Sequence, residues 1–467
     1  MSRLTLPTRT LISLLAVASF APLAHAQSAA SADQQRVEEL EQRLLVLERK
    51  LEIQTEEAAT KAKEAPVVNA GDKGFSLKNA KGDYEIKFSG LAQIDGRYFI
   101  DDDGAFRDGF IARRLRPTVQ GNLGKLVSFR FTPEFAGNGT GEAASIVDAY
   151  FDLKFSPAAS IRAGKQKGLL GLERLQSGAA ISLVERGYAT ELVPNRDLGV
   201  ALYGELASST INYAVGVFNG TADGRDVVGT TTGADDGLKE FEGRVFFEPF
   251  KNDYSVFKGL GVGIAGSTGA KDGSGNNFVS RYRSPGQNQF FTYEATAVAS
   301  GKHTRYAPQG FFYRNNVGLL AEYVVSEQDL TRGGVERSIK NDGYNVTASY
   351  VLTGEDASYR GVKPSSAYAI GAPGWGAVEL VARIGGLSVD NAAFAGVAAT
   401  DRLANPTAQA SKAESYGAGI NWYLTQNAKL TADYNYTSFE GGGGGTAAAP
   451  IDRRDEKAVF TRLTIQY

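Results

Sequence analysis

Between Arg162 and Arg186 the chain reads RAGKQKGLLGLERLQSGAAISLVER. Seven of its side chains are charged: Arg162, Lys165, Lys167, Glu173, Arg174, Glu185 and Arg186. Five of these are basic, and Ser177, Gly178 and Ser182 lie among them. Guanidinium, ammonium and hydroxyl groups that converge can replace the water around a small oxyanion. Arg suits this task because it presents a fixed fork of donors and stays cationic at any working pH. The stretch is too long for a hairpin turn and too charged for a core. It needs a frame that holds it where a solute passes.

Other chemistries fit poorly. After residue 26 the chain has a single His, His303, in the polar context GKHTRY. A hydrolase needs a base beside its nucleophile, and zinc needs three or four ligands; no His/Cys set exists, since the chain has no Cys. Asp101-Asp102-Asp103 and Asp235-Asp236 read as solvated loops sooner than as calcium sites. No enzyme activity, no cofactor and no nucleic-acid partner are expected.

The frame is written in the rest of the chain. Arg3 and Arg9 precede an apolar run, Leu11 to Phe20, and then Ala24-His25-Ala26. This is the pattern of a secretory signal over 1–26. Val37, Leu40, Leu44, Leu47 and Leu51 follow at spacings of 3, 4, 3 and 4, a heptad seam that predicts a short coiled-coil helix over 27–60. Residues 61–82 read as a linker.

From Tyr84 the period changes to 2. Tyr84, Ile86, Phe88, Ala92, Ile94 and Tyr98 alternate with Glu85, Lys87, Ser89, Gln93, Asp95 and Arg97. One face suits lipid and the other water. Sixteen such segments can be placed, ending at 457–467. Short turns alternate with long Gly-rich connections near 220–238, 268–288, 390–413 and 440–455. With 55 Gly, 25 Phe and 21 Tyr, the reading is all-β. Residues 83–467 form a sixteen-stranded antiparallel transmembrane β-barrel whose third loop folds inward. The place for such a barrel is the outer membrane of a Gram-negative cell, in contact with its lipid. The last residues, Arg462-Leu463-Thr464-Ile465-Gln466-Tyr467, end on an aromatic with apolar residues at every second position, as a barrel-assembly signal does.

Strand parity assigns the charges. Arg114, Arg116 and Arg130 share the lumen face, as does Arg97 nearer the loops. Arg174, Arg186 and Ser177 would close a filter at the waist, with Lys165 and Lys167 adding positive potential. Asp148, also of lumen parity, would stop an anion from binding too tightly. Arg113 has the opposite parity and is expected to snorkel at the lipid boundary. The bland alternative is that the basic residues pair with Glu85, Asp95, Glu134 and Asp152 and brace the wall. Net charge does not decide the matter: it is −2 for the whole chain.

The blocks FIARRLRPTVQGNL, SIVDAYFDLKF and LERLQSGAAISLVERG, in that order, resemble the phosphate-selective porin O and P family. The resemblance extends over most of residues 84–467. It implies a trimeric porin with an inward third loop and a ladder of lumen Arg residues leading anions to a constriction. Arg186 matches the Arg of the family's E-R pair, Ser177 the first of two adjacent serines, and Arg174 a position that is basic in phosphate-binding members. Asp148 lies in the D-A-Y block that faces the constriction. Two departures bear on phosphate specificity. The second serine is Gly178, and Lys167-Gly168-Leu169-Leu170 stands where the family has K-E-P-F. The expected partners are small anions, phosphate or a related oxyanion, and two further copies of the chain. A general or sugar-type porin, and a structural anchor built on the coiled coil, remain the competing readings.

Overall fold

A computed structural model describes residues 26–72, 74–101, 106–136, 144–227, 236–275, 277–396 and 398–467. All of the expected export signal except Ala26 falls outside these residues, as do Asp102, Asp103 and Asp235. The chain divides after Ala65 into two units. The first contains one helix, α1 (Ala26–Glu64), which stops where Ala65-Pro66 disfavours another helical turn. No helix among the described residues is long and apolar enough to cross a membrane.

The second unit is a barrel. β1 (Val67–Gly71) and β2 (Gly74–Lys78) form a hairpin. The wall begins with β3 (Tyr84–Phe99), β4 (Gly109–Leu123), β5 (Val127–Glu134), β6 (Ser145–Ser156) and β7 (Ala159–Gln166). It continues with β8 (Asp197–Leu206), β9 (Ile211–Phe218), β10 (Glu240–Phe247) and β11 (Leu260–Ser274). β12 (Arg281–Arg283) and β13 (Gln289–Thr292) make a separate ribbon. The wall resumes with β14 (Val298–Arg314), β15 (Val317–Arg332), β16 (Val335–Val351), β17 (Ala377–Ser388), β18 (Ala410–Tyr423) and β19 (Ala428–Thr446). β20 (Ala449–Asp452) pairs with the end of β19, and β21 (Glu456–Gln466) completes the set. Each wall strand pairs antiparallel with the next, and β21 pairs with β3 from Ala458↔Phe99 to Gln466↔Leu91. The sheet is therefore closed, with sixteen strands, and leaves no wall edge unpaired.

The wall is inverted relative to a soluble fold. On β3, Tyr84, Ile86, Phe88, Ile94 and Tyr98 are exposed outward, while Gln93 and Asp95 are buried inside. β15 and β16 join through Gly333 and Gly334, both at positive φ, as a two-residue hairpin with strand-like twist requires.

Three segments differ from expectation. Residues 61–82, read as a linker, hold the end of α1 and the β1–β2 hairpin. β2 pairs with β3 from Phe75↔Phe88 to Lys78↔Glu85, directly beyond Tyr467, whose carbonyl accepts from the Gly90 amide. It thus continues the wall where the last strand runs out. The connection from β16 to β17, residues 352–376, is long although it lies on the short-turn side. The expected strands near 290–306 and 311–325 meet instead at Asn315-Asn316, so β14 and β15 extend further along the chain.

Candidate functional site

The connection from β7 to β8 is the third on the long side. Its only regular turns are α2 (Leu172–Leu175) and a 3-10 turn (Tyr188–Leu192). Polar groups of the inner wall hold it along its length. The Leu169 amide donates to Glu242 at 2.6 Å and the Leu172 amide to Glu322 at 2.7 Å. Gln93 donates to the Gly178 carbonyl, Lys429 to that of Ile181 and Asn421 to that of Ser182. Asp433 accepts from the Val184 amide at 2.6 Å, and Arg383 donates to the Glu185 carbonyl at 2.8 Å. These partners belong to β3, β10, β15, β17, β18 and β19. A loop whose sequence offers no regular structure is fixed here because buried backbone N–H and C=O groups find wall partners. From the short-turn side, Tyr359 donates to the Leu172 carbonyl at 2.6 Å, and Gln176 donates to the Tyr359 carbonyl at 2.7 Å.

Glu185 is the electrostatic anchor of the loop. It accepts from Arg113 at 2.6 and 3.0 Å, from Arg97 at 2.8 Å and from Arg462 at 3.3 Å. Burial pushes its carboxyl up, but Arg113, Arg462 and Arg97 outweigh it and hold the group well below the usual range. Arg113 therefore faces inward, contrary to the snorkelling expected from parity. The register slips at this point: Gln93 pairs with Arg114 and Ile94 with Ala112, leaving Arg113 as the extra residue of a bulge. A bulge re-aims one side chain while the strand on either side keeps its alternation.

Beneath this loop lies a cavity of about 1100 Å³ that reaches the short turns at Pro157 and Gln426. Fourteen basic side chains line it against three acidic ones, Asp72, Asp148 and Glu205. Of the residues singled out in the sequence, Arg114, Arg116, Arg130, Asp148, Lys167, Arg174, Ser177 and Arg186 all line it. Lys165 does not. It pairs across the sheet with Ala149, whereas the lumen-lining Tyr150 pairs with Gly164. Cross-strand partners share a face, so Lys165 has the outer parity, and its ammonium donates to the Val227 carbonyl at 3.3 Å.

Some cations of the lining are neutralised. Arg116 pairs with Glu134 at 2.5 Å and Arg162 with Asp152 at 2.7 Å. Asp148 stands between Arg196 at 2.8 Å and Arg130 at 3.7 Å. Others, four of them on or against the loop, find only uncharged acceptors among the described residues. Arg114 donates to Gln93, and Arg174 to Asn195 and the Thr190 carbonyl. Arg186 donates to the carbonyls of Glu173 and Gln176, and Lys167 to those of Leu175 and Gln176. Burial, reinforced by Arg196 and Arg186, pushes the Lys167 ammonium well below its ordinary range. Burial and the neighbouring Arg174 push Arg186 down to about 9. Like charges are thus held together at the loop without enough carboxylate to relieve them.

The model of the phosphate-selective porin O and P family matches residues 86–466. The chain belongs to that family. Among solved structures the porin resembles the outer-membrane channel DcaP of Acinetobacter baumannii at 13% identity and a TM-score of 0.52, over 85% of this chain and all of that one. It also resembles in-vitro-folded OmpT, an outer membrane protein of Vibrio cholerae, at 12% identity and a TM-score of 0.50, over 82% of this chain and 98% of that one. An anion-selective porin from Comamonas acidovorans gives 13% identity and a TM-score of 0.48, over 82% of this chain and 99% of that one. No curated protein matches. The protein is an outer-membrane channel of a Gram-negative cell.

The porin's site contains residues that sequence reasoning missed. Arg196 precedes β8 in the run Pro194-Asn195-Arg196-Asp197; lying just outside a strand, it had no parity to assign it. Arg360 and Lys363 also line the cavity and come from the 352–376 connection.

Proposed function

We propose that the channel passes small anions by passive diffusion, with phosphate or a related oxyanion favoured, through a constriction at the β7–β8 loop. The imbalance of fourteen basic against three acidic lining residues carries this reading. A low-dielectric cavity lined by one sign of charge focuses the field, so placement outweighs a net charge of −2. Arg114, Arg174, Arg186 and Lys167 supply charge and donors, Ser177 supplies a hydroxyl, and Arg116 and Arg130 extend the path. Asp148 competes for Arg196 and Arg130 and so shortens the stay of an anion. Lys165 contributes long-range potential only.

Gly178 favours a second reading, an anion-preferring porin without phosphate selectivity, since it removes a hydroxyl from the filter. The porin acts as a homotrimer in either case. β5, β7, β9 and β10 have eight residues each, short of the about 9–11 that a tilted strand needs to span the hydrocarbon. Protein from a neighbouring copy would cover that face.

The test is reversal potential of the purified porin in planar bilayers under a KCl gradient, followed by added phosphate. Anion selectivity with chloride current blocked by phosphate supports the first reading. Anion selectivity without block supports the second, and cation selectivity overturns both.

A further inference from the structure

α1 carries an apolar seam that no other described residue of its own unit covers. Val37, Leu40, Leu44, Leu47 and Leu51 are between 53% and 66% exposed. A solvated surface helix does not need five large apolar residues in register at a and d. A coiled-coil seam does. Burying such side chains against a partner helix supplies a driving force for association.

The flanking charges say what the seam meets. With Val37, Leu44 and Leu51 at a, the g positions are Arg36, Arg43 and Lys50, and the e positions include Glu41 and Glu48. In parallel, in-register helices each g residue faces the e residue five places on in the next copy. Arg36 then meets Glu41 and Arg43 meets Glu48. In an antiparallel pair g faces g and e faces e, which sets Arg against Arg and Glu against Glu. Arg43 holds Glu39 of its own helix at 2.7 Å, but both side chains are exposed. An exposed pair of that kind contributes little and exchanges readily.

We infer that α1 docks on α1 of two further copies as a parallel, in-register three-stranded coiled coil, with Arg36–Glu41 and Arg43–Glu48 pairs between chains. The three-fold number rests on the homotrimer proposed above; direction and register rest on the helix itself. A seam of little more than two heptads is marginal for free helices. Here each helix is tied to a barrel through Ala65-Pro66, and tethering raises the effective concentration to about the millimolar range. The coiled coil therefore forms because the barrels gather its strands, and in return it ties the three copies together outside the membrane.

The chain has no Cys, so a single introduced thiol reports on this geometry without background. Leu40→Cys and Leu51→Cys are made separately in the full-length porin, with Leu45→Cys at the outward b position as control. Each purified trimer is then oxidised gently. Disulfide-linked pairs of chains are expected at both seam positions and not at residue 45. Cross-linking at only one seam position would mean antiparallel helices. Its absence at both, in a protein that still runs as a trimer, would leave the barrel trimer standing and overturn the coiled coil. A monomer would remove the trimer reading as well. A second measurement guards against a seam variant that misfolds. In the Leu51→Cys background, Glu41→Arg with Glu48→Arg is expected to lower the cross-link yield by more than half. Adding Arg36→Glu with Arg43→Glu restores it. A yield indifferent to these reversals refutes the proposed pairs.

Discussion

Arg186→Gln removes one positive charge from the centre of the proposed filter and keeps a side chain of similar reach. Arg186 makes no carboxylate contact among the described residues; its bonds run to the Glu173 and Gln176 carbonyls at 3.0 and 2.9 Å. Its charge is therefore available to a permeating ion. For a monovalent anion ~6 Å away at an effective dielectric near 20, Coulomb's law gives about 3 kcal/mol. Taken alone this is about a hundredfold in occupancy, at roughly 1.4 kcal/mol per factor of ten. Arg114, Arg174 and Lys167 remain, and 0.1 M salt screens beyond about 10 Å. The working expectation is therefore about a tenfold rise in the phosphate concentration that half-blocks chloride current, with the reversal potential moving toward zero. Arg186→Lys keeps the charge and is expected to keep the anion preference. If Arg186→Gln leaves both block and reversal potential unchanged in a normally folded trimer, the loop charge does not set selectivity and the filter assignment fails.

Glu185→Gln leaves Arg113, Arg97 and Arg462 without their shared carboxylate, and breaking such a buried cluster costs about 3–5 kcal/mol. The variant should unfold at lower temperature and show a noisier, larger single-channel current; an unchanged melting profile counts against the anchor. Asp148→Asn frees Arg196 and Arg130 and should give tighter phosphate block with a smaller unit current, whereas weaker block would reverse the role assigned to Asp148. Burial and its cationic neighbours depress Lys167, so its charge is present at low pH and lost as pH rises, before the ordinary lysine range is reached. Anion selectivity should decline over that window and the decline should vanish in Lys167→Met; a flat profile in the parent protein refutes it. Gly178→Ser restores a hydroxyl where an added Cβ would meet Leu91 and Arg114 at 3.4 and 3.5 Å, an ordinary contact. Phosphate block should tighten several-fold, and no change would remove the serine pair from the filter's chemistry.

The barrel was legible because each wall strand writes its two faces into alternate residues, and the sixteen segments read that way correspond to the sixteen observed. The same rule placed Arg114, Arg116 and Arg130 on the cavity. It failed where alternation is interrupted. One bulge between Gln93 and Ile94 turned Arg113 inward, and no local sequence signal marks a bulge made without glycine. Lys165 fell to the outer face although parity could have said so: its strand places Arg162 opposite the lumen acid Asp152, three residues before it. The β1–β2 hairpin and the 352–376 connection escaped for another reason. Both are held by partners far away in the chain, such as Asn427 on the Asp72 carbonyl and Tyr359 on that of Leu172, and such pairings leave no local pattern.

The bonds that hold the β7–β8 loop also set an order of events. Val184 donates its amide to Asp433, 249 residues later, and its carbonyl accepts from Arg462, 278 residues later. Glu185 joins residues of the first and last wall strands, Arg97 and Arg462. Contacts so distant in the chain are made only after long loops have been closed, at an entropic cost that local pairing does not meet. A wall still open at its seam lacks the meeting of Arg97 and Arg462 that fixes Glu185. Closure of the barrel and the final fixing of the proposed filter are therefore a single step.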